Sequence, residues 1–126
     1  LINLIGLTRF EILEEVTNDK LYREFKVNYK IFEKDLSEKK VEVETFSLMS
    51  KAKIFFKRNG LLINWKEFEK LSHVQKINTL AMISPVTSEE KQKILEAISL
   101  EEKIKNLESV ISFYLHEVNF NNQTIQ

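Results

Sequence analysis

Pro85 is the only proline in a chain of 126 residues, and the stretch around it, Asn78 to Leu95, sets the layout of the whole second half. An apolar pattern of helical period runs into this stretch and another leaves it. Proline has no amide hydrogen to give a helix, and it biases the residue before it, Ser84, away from the α region. Two residues later Thr87 stands where an N-cap belongs, with Glu90 three positions on. That is a capping box, in which the hydroxyl accepts from one free amide and the carboxylate reaches back to another. The corner is therefore specified as a stop and again as a start.

Helical signals fill the chain from residue 43 to residue 118. Leu48, Met49, Ala52, Phe55 and Phe56 fall on one face of a helix over 43–58. Asn59-Gly60 ends it, with Gly60 suited to the left-handed position after a helix. Asn64 caps a short helix over 65–70 that carries Trp65, Phe68 and Leu71 inward. Ser72 and Gln75 form a capping box for a helix over 73–83 with Val74, Ile77, Leu80 and Ala81 inward. Beyond Pro85 a helix over 88–97 directs Ile94, Leu95 and Ile98 to the core. Ser99 and Glu102 make a third box, for a helix over 100–118 with Leu100, Ile104, Leu107, Ile111, Tyr114 and Val118 on its apolar face. Asn119 to Gln126 reads as a polar, frayed tail.

The first third has the period of strands. Leu1 to Leu7 is a near-continuous apolar run, as in a well-buried strand. Phe10, Ile12, Glu14 and Val16 alternate more weakly with Glu11, Leu13 and Glu15. Thr17-Asn18-Asp19 is turn chemistry. Leu21, Phe25, Val27, Tyr29 and Ile31 then oppose Tyr22, Glu24, Lys26, Asn28 and Lys30, the mark of a half-solvated strand antiparallel to its predecessor. Residues 33–42, rich in Glu, Lys and Asp, read as a solvated connection. The fold class is α+β, with antiparallel strands in a partial β subdomain over 1–40 and a bundle of about five helices over 41–126. The chain opens without Met and inside an apolar run, so we expect a fragment whose upstream half is missing. Its strands are then expected to pair with another chain or with that upstream half.

Composition removes several functional classes. Lys+Arg and Asp+Glu both number 19, so net charge points neither to nucleic acid nor to an anionic membrane. Without cysteine there is no disulfide and no thiolate metal site, which fits a reducing compartment. No apolar run approaches the length of a transmembrane helix. Two glycines, Gly6 and Gly60, cannot make a phosphate-binding loop. His73 and His116 have no metal-ligand spacing; His116-Glu117 opens like a zinc-protease motif, but Phe120 stands where its second histidine belongs. Glu89/Glu90 and Glu101/Glu102 sit in first helical turns, where free amides and the helix dipole favour carboxylates. Ser50 and Lys51 are adjacent on a helix and so do not face each other. Lys51, Lys53, Lys57 and Arg58, interleaved with Phe55 and Phe56, are the nearest thing to a basic aromatic patch. Their simpler reading is a solvated face over core phenylalanines. Trp65 reads as core, and an exposed face near Leu61 to Trp65 is a candidate peptide-binding surface. The sequence thus offers no catalytic, cofactor-binding or metal-binding residue and expects no cofactor.

Taken together the segments resemble a known family. Leu4-Ile-Gly-Leu-Thr-Arg-Phe-Glu-Ile-Leu-Glu-Glu15 is similar to the L-x-G-x-x-R-F-x-I-x-E segment of the Lon substrate-binding domain family. Leu21-Tyr-Arg-Glu-Phe-Lys-Val27 resembles the strand that follows it there. Pro85, then Glu90-Lys-Gln-Lys-Ile-Leu-Glu96 and Leu100-Glu-Glu-Lys-Ile104, are similar to that family's helical half, although Lys103 stands where many relatives carry Arg. The closest likeness is to small stand-alone bacterial Lon-domain proteins. The resemblance implies a PUA-like pseudo-barrel followed by a helical bundle, and a cytoplasmic, non-enzymatic module that binds unfolded or partly folded polypeptides. No catalytic residue carries over, because the family's peptidase and ATPase chemistry lies in other domains. Self-association through the N-terminal strands is a further expected partnership. The alternative reading is an RNA-binding module, from the PUA-like kinship and the Lys51–Arg58 helix.

Overall fold

The computed structural model describes residues 1–36 and 44–123, with side chains as far as residue 116. It is an α+β protein, and the chain divides into two compact units, Leu1–Lys40 and Val41–Gln126. The boundary between them falls in 37–43, outside the described residues, as do most of the expected solvated connection and the tail residues 124–126.

The first unit is a β-hairpin with a short helical appendage. Strands β1 (Glu11–Val16) and β2 (Glu24–Asn28) pair antiparallel, and Lys30–Leu36 follows as two short 3-10 turns meeting at Phe32. The expected strand over Leu1 to Leu7 does not form: residues 1–10 have no regular secondary structure. A strand is held by its ladder, and no described segment pairs with these residues. Leu1, Ile2, Leu4, Ile5 and Leu7 are instead exposed. Nor is β2 as long as its alternation suggests. The backbone leaves the extended form after Asn28, whose side chain accepts the amide of Lys30 at 3.1 Å, a turn-forming bond that competes with the ladder. The expected pseudo-barrel reduces, among the described residues, to this open two-stranded sheet.

The second unit is a bundle of α1 (Phe46–Arg58), α2 (Trp65–Phe68), α3 (His73–Ile83), α4 (Ser88–Glu96) and α5 (Leu100–Gln123). Leu48, Ala52, Phe55, Phe56, Phe68, Ile77, Leu80, Ile94, Ile104, Leu107 and Ile111 form one buried cluster. Most of the expected inward positions are here. Val74, Leu95 and Ile98 are not: each is roughly half exposed. Around the α4–α5 turn it is Ala97 that is buried instead, since the chain leaves α4 there in an extended conformation and Ile98 is carried outward. The side chain of Val118 lies outside the described residues, and α5 continues through Gln123 rather than fraying at 119.

The helix ends are held as their sequences specify. At the end of α1, Gly60 has φ +70°, its amide donates to the Lys57 carbonyl at 3.1 Å, and the Leu61 amide donates to the Phe56 carbonyl at 2.9 Å. That pair of bonds is a Schellman motif. Asn64 accepts from the Glu67 amide, and both legs of the Ser72/Gln75 and Thr87/Glu90 boxes are made. The third box is displaced by one residue. Ser99 accepts from the Glu102 amide at 3.1 Å, but the Glu102 carboxylate accepts from the amide of Ile98, not Ser99.

Candidate functional site

The site is built on the hairpin, beginning from its register. Ile12 pairs with Val27 and Glu14 with Lys26, so Leu13 is an extra residue, a β-bulge. The weak alternation of β1 has this cause. Before the bulge Ile12 falls on one face; after it Glu14 falls on the opposite face, and Glu15 returns to the first. One face of the sheet thus collects Ile12, Phe25 and Val27, with Glu15 opposite Phe25. The other collects Glu11, Glu14, Val16, Glu24, Lys26 and Asn28. Binary patterning that the raw sequence obscures is restored in the folded ladder.

Both ends of the apolar face are defined. At the turn end the Arg23 guanidinium grips the Glu15 carboxylate through two bonds of 2.7 and 2.8 Å and lies 5.0 Å from the centroid of the Phe25 ring. This bidentate bond holds the Glu15 carboxyl below its ordinary range. Just past the open end of the ladder Phe10 and Tyr29 meet edge to face, with centroids 6.0 Å apart. On the polar face Lys26 pairs with Glu14, directly across the strands, and Lys20 with Glu24.

The hairpin has little core beneath it. Phe32, 7% exposed, is the one buried hydrophobic residue described in this unit, whereas Phe10, Ile12, Leu13, Phe25 and Tyr29 are all exposed. Phe32 is held by the N-terminal segment. Arg9 stacks over its ring at 4.4 Å and forks onto Asp35 with two side-chain bonds of 2.8 Å, while the Arg9 amide adds a third at 3.0 Å. The two residues are 26 positions apart, and nothing local in the sequence announces the pair. Since the sheet has two strands, each strand also has one edge without ladder partners among the described residues. An apolar face beside unpaired amides and carbonyls is equipped to hold an extended chain, by backbone bonds along the edge and by side-chain burial on the face.

The structure disperses the basic aromatic patch. Phe55 and Phe56 are buried. Lys51 pairs with Glu108 at 2.6 Å, Lys53 lies over the Trp65 ring at 5.4 Å, and Arg58 donates to the Leu115 carbonyl at 3.2 Å. Trp65 is largely core, edge to face with both Phe56 and Phe68. Of the loop before it, Leu62 is fully exposed and Leu61 partly so. His73 and His116 are exposed, and no cluster of three or more metal-ligating side chains occurs among the described residues. No helix described is long and apolar enough to cross a membrane.

Comparison with known proteins accounts for nearly the whole chain. Searches of curated proteins and of solved structures return no match. The family model described as the ATP-dependent protease La (LON) substrate-binding domain matches residues 1–112, a span that takes in the hairpin, the Pro85 corner and most of α5. The chain belongs to the Lon substrate-binding domain family.

Proposed function

We propose that this protein is a non-catalytic module that binds unfolded or partly folded polypeptides on the apolar face of its hairpin. Family membership supports polypeptide binding as such. The observation that carries the location is the exposure of Ile12 and Phe25 on one sheet face, beside a β1 edge without ladder partners among the described residues and with Phe10 and Tyr29 exposed past the end of the ladder. A folded protein has few extended segments and exposed apolar side chains to offer such a surface; an unfolded one has many. Selectivity for non-native chains then needs no sequence-specific pocket. The helical unit supplies a stable body, and it is the hairpin that engages the guest. We place this activity in the cytoplasm, since a chain without cysteine needs no oxidising compartment to fold.

Fluorescence anisotropy with a labelled, reduced and alkylated protein tests the reading. The unfolded probe is expected to bind saturably, and the same protein in its native form to bind at least about tenfold more weakly, a difference of about 1.4 kcal/mol. Equal binding of both forms, or of neither, would contradict it.

A further inference from the structure

The two edges of the hairpin differ in what they accept. Strand β1 carries Glu11, Glu14 and Glu15 and no cation. A second β1 laid against it would set carboxylates near carboxylates, which is unfavourable. Strand β2 reads Glu24-Phe25-Lys26-Val27-Asn28, and that order is self-complementary about Phe25. In an antiparallel pairing centred there, Phe25 meets Phe25 of the second copy. Glu24 meets Lys26 of the second copy, and Lys26 meets its Glu24. The neighbouring register, centred on Lys26, would oppose two ammonium groups.

We propose that the occupant of the β2 edge is a second copy of this chain, joined in the Phe25-centred register to form a four-stranded sheet in the order β1-β2-β2-β1. Three observations converge on it. The edge has no ladder partner among the described residues. The charge order of β2 is complementary to itself under a two-fold axis and that of β1 is not. The hairpin unit buries a single hydrophobic residue among those described, Phe32, and a two-stranded sheet gains independent stability mainly by adding strands. Because Phe25 and Val27 share one face with Ile12, the two-fold axis places both apolar faces on the same side of the joined sheet. The inference goes beyond polypeptide binding and does not depend on it, since self-association is read without any guest. Pairing through β2 leaves the β1 edge open; on the apolar face it engages Phe25 but not Ile12.

Glu24→Lys and Lys26→Glu test the register on the full chain, by sedimentation equilibrium and light scattering. The parent is expected to show a concentration-dependent shift from the 14.9 kDa chain mass toward twice that mass. Each variant alone sets like charges opposite at two positions and is expected to dimerise roughly tenfold more weakly or worse. In an equimolar mixture one copy carries two lysines on β2 and the other two glutamates, so both cross-axis pairs join opposite charges again. The mixture is expected to regain the dimer. It separates the interface from damage within one hairpin, because each variant's loss of its Lys20 or Glu14 partner persists on mixing. A parent that stays monomeric at every soluble concentration, variants that dimerise as the parent does, or a mixture that stays monomeric would each overturn the proposal.

Discussion

At the scale of single residues the corner around Pro85 is the most densely specified point. One oxygen of Glu90 accepts from the Thr87 amide at 2.9 Å, the Thr87 hydroxyl at 3.1 Å and the Tyr114 hydroxyl at 2.9 Å. Burial pushes the Glu90 carboxyl up, but these hydrogen bonds outweigh it and leave the group below its ordinary value. Thr87→Ala removes the cap and one of the donors, and is expected to cost about 0.5–2 kcal/mol in chemical denaturation. Tyr114→Phe keeps the ring beside Phe55 and loses one donor to a carboxylate that water and Thr87 still reach, and is expected to cost about 0.5–1.5 kcal/mol. Glu108 is held low by the Lys51 ammonium and then by the Ser47 hydroxyl, against burial. A carboxyl depressed in the folded state contributes stability that is complete above its unfolded value and is lost as pH falls through the folded one. Stability should therefore decline on acidification below about pH 4.5, the ordinary carboxylate value. Glu90→Gln and Glu108→Gln should each flatten that decline when urea midpoints are compared between about pH 6 and about pH 3.

At the scale of elements, legibility follows the range of the interaction that defines each one. Caps, the Schellman turn after α1 and the proline corner act over a few neighbouring residues, so residue identity at fixed offsets reveals them. Gly60→Ala tests the first kind. A Cβ there meets nothing within 4 Å, so the cost is that of the left-handed backbone alone, about 1–2 kcal/mol, read from the shift in thermal midpoint. The apolar run Leu1 to Leu7 misleads because apolar content shows only that a strand would suit burial. Whether a partner strand lies alongside is a long-range fact. Leu13 is an intermediate case: its broken alternation is visible in the sequence, but a bulge and a loose strand look alike until Lys26 and Val27 fix the register. Helical spacing points Ile98 inward, and the exit of the backbone at Ala97 turns it out; Leu95, still within α4, is half exposed because it lies beside the buried stripe that Ile94 marks.

At the scale of the whole molecule the fold class was legible, the family was carried by ordered motifs, and the site was not. The candidate surface is made by a face rather than by a motif. Ile12, Phe25 and Val27 are unremarkable as residues and become a surface only through the ladder, and Arg9 finds Asp35 only when the 3-10 turns fold back. The polypeptide-binding reading places the guest on that face. Ile12→Ser and Phe25→Ser each remove an exposed apolar side chain from it without emptying a buried site, whereas Leu62→Ser removes an exposed leucine from the helical unit. The deciding measurement is the affinity of these three variants for one labelled unfolded polypeptide, at a protein concentration where sedimentation shows parent and variants alike as monomers, with the helical signal in circular dichroism as the check on folding. Ile12→Ser and Phe25→Ser should each weaken binding by roughly five- to tenfold, about 1–1.4 kcal/mol, and Leu62→Ser should bind as the parent does. Unchanged affinity in both hairpin variants, or an equal loss in Leu62→Ser, would show that the hairpin face is not where polypeptides are held.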